Sequence, residues 1–240
     1  MNAKRLFFSV FVSALSAAAL VLLLGLIGHD RGSAAATTTA WPQLVVVQTI
    51  PGLNQATAIT HAGDGSGRLF IAELGGKVRI VQNNNLLTTP FLDIGDRIRF
   101  DRSGLLNIVF PPNFAAKQYF YVVYAGMNKE TVLSRFRVSN TDPNRADPNS
   151  EEIILSVPFP DPNLPGTHYG SGLACGPDGY LYLSIGDGGC GPTGYACWEL
   201  AQSLASLRGK LLRLDVESGA TPYAVPSDNP FVGVEGARPE

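Results

Sequence analysis

The chain has 240 residues, with 18 Lys+Arg against 20 Asp+Glu, 26 Gly and 17 Pro. The Gly and Pro content fits strands joined by tight turns, and a 16% charged fraction excludes an ordinary disordered or highly charged tail protein. There is no basic surplus and no Lys/Arg run, which argues against a nucleic acid partner.

In chain order, Lys4 and Arg5 precede an uncharged apolar stretch from Leu6 to Ile27, and Ser33, Ala34, Ala35 and Ala36 follow it. Positive, apolar, then small is the order of a secretory signal. The stretch is also long enough to span a bilayer. Residues 1–36 are therefore read as a signal peptide or an N-terminal anchor, 37–42 as a linker, and 43–240 as one exported domain. It lies in the periplasm, outside the cell, or on the outer face of the cytoplasmic membrane, with that first segment its sole membrane contact.

Beyond the leader, short apolar runs alternate with turn residues. Leu44–Ile50 is the first, and Ala58-Ile59-Thr60 is strand-like ahead of His61. Arg68–Glu73 and Lys77–Val81 flank Gly75-Gly76 as a hairpin. Leu105–Phe110, Tyr119–Tyr124, Val132–Val138, Ile153–Val157, Gly172–Cys175, Tyr180–Ile185 and Lys210–Val216 follow, with one helical piece at Trp198–Leu207. Cys190 and Cys197 lie in a Gly/Pro-rich loop where they can pair in an oxidising compartment, and Cys175 reads as a buried thiol. This pattern argues an all-β sandwich, barrel or propeller. A turn feeding an aromatic-centred strand recurs near residues 70, 121 and 182. A spacing of roughly 50–60 is near one four-stranded propeller blade with its loops, so about four blades are expected in residues 40–240.

Two segments carry chemistry. His168 lies in the glycine-dense Gly166-Thr167-His168-Tyr169-Gly170-Ser171-Gly172, and Gly186-Asp187-Gly188-Gly189 ends the next strand. On neighbouring strands, His168 and Asp187 emerge at one rim. A carboxylate beside an imidazole fixes its tautomer and raises its basicity, as a general base requires; a structural turn closed by a hydrogen-bonded Asp is the alternative. No G-x-S-x-G, Walker A or CxxC motif occurs, and the glycines at 63, 65 and 67 precede a strand rather than a helix. His61 reads as a turn residue.

The ordered motifs extend further: Pro90-Phe91-Leu92-Asp93-Ile94, Gly104-Leu105-Leu106 running to Phe114, Ser134-Arg135-Phe136, the His168 loop, Gly176-Pro177-Asp178-Gly179-Tyr180, Gly186-Asp187-Gly188-Gly189, Gly209-Lys210-Leu211-Leu212-Arg213-Leu214-Asp215 and Asp228-Asn229-Pro230-Phe231. Over about residues 43–240 this resembles the soluble quinoprotein glucose/sorbosone dehydrogenases, the aldose sugar dehydrogenases. The resemblance implies a six-bladed β-propeller holding pyrroloquinoline quinone at its mouth. It also implies an aldose as substrate, an external electron acceptor, and Ca2+ bound mostly by residues later than 240. It puts the base that accepts the anomeric hydroxyl proton on His168 and its partner on Asp187. Arg102 falls near cofactor and substrate, and Tyr169 is placed to stack on the cofactor or to fill part of its site. The family's histidine loop commonly reads Asn-His-Asn-Gly-Gly, so Thr167-His168-Tyr169-Gly170-Ser171 is a departure that bears on substrate range. The family's Arg-Asn-Pro segment would follow shortly after Glu240, so the chain is expected to be the N-terminal part of such an enzyme. The competing readings are a non-catalytic extracellular binding propeller and a calcium-dependent lactonase-like propeller, for which Glu73 and Asp187 are the candidate acidic groups.

Overall fold

The computed structural model describes residues 45–46, 49–99, 103–159, 167–189 and 196–240. The leader, Arg102 and Cys190 lie outside the described residues, and with them the expected Cys190–Cys197 pairing. Gln48–Glu240 makes one compact unit. Of the Leu44–Ile50 run, the described residues are not in a strand, and Val45 and Val46 stand exposed with no pairing edge.

Three antiparallel sheets follow. The first contains β1 (Ala56–His61), β2 (Leu69–Glu73), β3 (Lys77–Gln82), β4 (Asn85–Leu86) and β5 (Leu92–Asp93), the last pairing with β3. The second runs in simple order through β6 (Leu105–Val109), β7 (Tyr119–Ala125), β8 (Glu130–Val138) and β9 (Ala146–Pro158). The third is β10 (Leu173–Cys175), β11 (Leu181–Ile185) and β12 (Lys210–Leu214). Among the described residues two helices interrupt them, α1 (Phe114–Lys117) and α2 (Ala196–Gln202).

The repeat read from the sequence maps onto this order, since Phe70, Tyr121 and Tyr182 each lie on the second strand of a sheet. Three sheets stand among the described residues where about four blades were expected. β9 is 13 residues long, and the stretch after β12 folds into turns and one isolated bridge, Asp215 to Ala224. The first strand of the second sheet, β6, approaches both β1 and β10.

The second sheet is the middle layer, and alternation along β7 shows why. In a strand successive side chains point to opposite faces. Phe120, Val122 and Tyr124 pack towards the first sheet with Phe70, Val78, Ile80 and Phe91. Tyr121 and Val123 pack towards the third with Leu181, Leu183, Ile185, Leu212 and Leu214. A strand covered on both faces needs an unbroken apolar run, and YFYVVYA is one. The aromatic rings interlock at centroid distances of 4.9 Å for Phe70–Phe91, 4.5 Å for Phe70–Phe110 and 5.0 Å for Phe91–Phe120. Cys175 is a half-buried free thiol whose pKa is pushed up to about 11, chiefly by burial.

Candidate active site

The site forms where the chain entering β10 meets the chain leaving β11. Because β10 and β11 pair antiparallel, with Leu173 opposite Leu183, their flanking loops emerge at one end. The two loops are joined backbone to backbone. Gly172 and Ser184 exchange bonds, Ser184 N–H donating to Gly172 O at 2.8 Å and Gly172 N–H donating to Ser184 Oγ at 2.8 Å. Gly186 N–H donates to Tyr169 O at 3.2 Å, and Gly188 N–H to His168 O at 3.3 Å.

This closeness depends on two missing side chains. A Cβ at Gly186 would lie 1.9 Å from His168 O, and one at Gly170, which is also left-handed at φ +82°, would lie 2.4 Å from Ser184 O. His168 itself sits at φ 50°, a conformation that a non-glycine residue holds only when its surroundings enforce it. The glycine density read from the sequence thus has a mechanical meaning, since it lets the two loops touch.

The contact brings His168 and Asp187 together, with Nδ1 and Oδ1 2.8 Å apart. The imidazole is 66% exposed and the carboxylate 26%. Burial alone would raise the pKa of Asp187. The N–H of Gly189 at 3.0 Å and the His168 ring outweigh that and hold it below the usual carboxylate range. An ionised Asp187 can only accept, so Nδ1 of the neutral imidazole donates and Nε2 is left as the acceptor at the surface. An exposed imidazole with its lone pair fixed outward can take a proton from a bound hydroxyl.

The other expected residues are placed differently. Arg102 lies outside the described residues. Tyr169 is 3% exposed and its ring packs 4.5 Å from that of Phe159, beside Ala125. In this structure Tyr169 is packed beneath the loop against the Phe159 ring. Glu73 is buried, accepts from Asn54 N–H at 2.7 Å and faces Arg79 at 3.7 Å, which makes it part of the first sheet's own framework. His61 accepts from Gly63 N–H through Nδ1 at 3.1 Å, as a turn residue does.

Sequence reasoning missed what fixes the far side of the site. Gly209 N–H donates to Gly186 O at 3.1 Å. Lys210 Nζ donates to the carbonyls of Leu200, Ala201 and Arg208 at 3.1, 2.7 and 2.9 Å, capping α2. The signal in the sequence was the Gly209-Lys210 step at the head of β12. Asn107 of β6 also donates to Ser171 O at 2.6 Å and ties the middle sheet to the histidine loop.

The chain is similar in sequence and fold to known proteins. The family model for glucose / sorbosone dehydrogenase matches residues 53–240. The Hedgehog-interacting protein of Mus musculus is 31% identical over 214 residues, covering 82% of this chain and 30% of that protein. Among solved structures, the putative oxidoreductase (glucose dehydrogenase) of Thermus thermophilus is 30% identical with a TM-score of 0.62, over 80% of this chain and 51% of that one. The PQQ-bound form of aldose sugar dehydrogenase from Streptomyces coelicolor shares the fold at 22% identity and a TM-score of 0.63, over 80% of this chain and 52% of that one. The chain thus spans about half the length of these solved structures and under a third of the mouse protein.

Proposed function

Since the chain belongs to the glucose/sorbosone dehydrogenase family, we propose that it carries the base of an exported, pyrroloquinoline quinone-dependent aldose dehydrogenase with a six-bladed propeller fold. The observation that carries this reading is the His168–Asp187 pair, held at 2.8 Å with the imidazole largely exposed. When bound, the quinone supplies the acceptor for the hydride leaving the sugar's C1.

The chain's own residues supply the proton chemistry. Asp187 holds Nδ1 and keeps Nε2 unprotonated. His168 Nε2 then takes the proton of the anomeric hydroxyl, and Asp187 stabilises the imidazolium that results. The residues present fit the base half of such a site: an acceptor nitrogen at the surface, set on glycines that leave its rim uncrowded. Of the residues expected to hold the quinone, Tyr169 is turned inward, and Arg102 and calcium ligation belong to the proposal alone.

The test is dye reduction by the full-length gene product supplied with the quinone, Ca2+ and a panel of aldoses. Activity that falls at least about 100-fold in His168→Ala supports the reading. Quinone-dependent turnover that survives His168→Ala overturns it.

A second reading, a propeller that binds a partner without catalysis, is favoured by the likeness to the Hedgehog-interacting protein. It takes over if the full-length protein turns over no sugar with the quinone present.

A further inference from the structure

Arg208 is 3% exposed, yet no carboxylate of the described residues lies within ion-pair distance of it. Its hydrogen bonds go to main-chain carbonyls and a hydroxyl: Nη2 to Val157 O at 2.6 Å, Nε to Pro158 O at 3.2 Å, and Nη1 to Thr131 Oγ1 at 3.5 Å. Burial lowers its pKa to about 10, which leaves it charged at neutral pH. Taking a cation out of water without a counter-ion is strongly unfavourable, and an apolar side chain of similar volume would fill the space without that penalty. The charge and the fork geometry therefore call for a purpose beyond packing.

The side-chain contacts of Arg208 lead towards the site. Val157, Pro158 and Phe159 close β9 and begin the segment that brings in His168. Thr131 Oγ1, which receives Arg208 Nη1, donates to Tyr169 O at 3.1 Å, one residue beyond His168. The Phe159 ring lies 4.6 Å from the guanidinium and 4.5 Å from the Tyr169 ring, so it relays the packing from Arg208 to the histidine loop. In the other direction the main chain passes at once to Gly209, whose N–H holds Gly186 O beside Asp187.

We propose that Arg208 is a positioning residue for the His168–Asp187 pair. Its side chain braces the histidine loop through Thr131 and the Phe159 ring, and the residue that follows it, Gly209, holds the aspartate loop through Gly186 O. That side chain adds to the direct bonds between the two loops and helps to keep His168 Nδ1 against Asp187. The geometric part of this inference stands on the described contacts. Its catalytic consequence rests on His168 being the base proposed above.

The experiment is 15N NMR of the imidazoles in the full-length protein, to which this chain contributes three histidines. His61 is the internal reference, because Gly63 N–H occupies its Nδ1 and forces the proton to Nε2. Wild-type His168 is expected as the Nδ1–H tautomer. In Arg208→Met, His168 is expected to shift to a mixture of both tautomers while His61 does not move. Arg208→Lys, which keeps the charge without the fork, is expected to fall between them. Where the wild type oxidises sugars, Arg208→Met is expected to lower kcat about tenfold or more, with the sugar KM within about twofold. A folded Arg208→Met whose His168 signals match the wild type overturns the proposal. If that variant does not fold, Thr131→Val takes its place with the same expectation, a partial shift of His168, and unchanged His168 signals there overturn it. A wild type with ordered tautomers but no quinone-dependent oxidation overturns the dehydrogenase reading and leaves the positioning role standing.

Discussion

At the residue scale, His168 presents Nδ1 to a carboxylate and His61 presents the same atom to a backbone N–H, so the neutral rings carry their protons on opposite nitrogens. The difference lies wholly in the neighbours. Asp187→Asn tests it, because an amide offers Nδ1 a donor and drives the proton to Nε2, where the base is needed. In a histidine–aspartate pair that change leaves geometry intact and costs on the order of 10⁴ in kcat. A loss confined to KM would show that Asp187 serves binding alone. Asp64 contributes to acid stability elsewhere in the chain. Burial raises the pKa of Asp64, but its bonds from Ser66 and Arg68 prevail and lower it from 3.8 to about 2. A depressed carboxylate stabilises the fold above its unfolded value of about 3.9, and that contribution is lost as pH falls towards 2. Urea unfolding of wild type and Asp64→Asn should differ by on the order of 1–2 kcal/mol at neutral pH and converge near pH 2. A difference that persists unchanged at pH 2 would assign the effect to packing.

At the scale of elements, Glu217, just past β12, reaches back to the middle sheet. It accepts from Lys117 Nζ at 2.8 Å, Tyr119 OH at 2.6 Å and Tyr121 OH at 3.1 Å. Tyr121 is fully buried, and its phenol pKa is driven far up, chiefly by burial, so it stays a donor. Glu217→Ala strands that hydroxyl and should cost about 1–3 kcal/mol in urea unfolding, with Glu217→Gln recovering part of it. The elements most legible in the sequence were those whose burial writes itself into the residue types, such as the doubly covered β7. β9 was harder: it begins at Ala146 rather than near Ile153, because its polar first half is held by cross-strand pairing, Arg135 to Glu152 included, and not by apolar alternation. α2 ends at Gln202 rather than Leu207, since Lys210, distant in the pattern, caps its carbonyls. The four-residue α1, bounded by left-handed Asn113 and Gln118, has too few residues to show a period. In the site, the motif spacing disclosed His168 and Asp187. Arg208 stayed hidden because an arginine at a turn reads as a surface charge until the packing around it is known.

At the scale of the whole molecule, the three sheets are unequal in cover. β7 of the middle sheet has protein on both faces, whereas the third sheet carries Leu211 at 66% exposure and the first carries Ile59 at 65%. That inequality has a kinetic meaning. An amide exchanges its hydrogen with solvent only when its bond opens, and the opening free energy ranges from near zero at frayed edges to the full unfolding value in a doubly packed layer. In heavy water, the amides of Tyr121, Val122 and Val123 should therefore exchange last, at the rate of global unfolding, while those of β1 and β10 exchange through local openings. Equal protection across all three sheets would mean that they open as a single unit. Since β10 leads directly out of the His168 loop, graded exchange would also mean that His168 sits on the part of the molecule that breathes first, with the slow-exchanging middle sheet as the fixed wall against which its loop closes again.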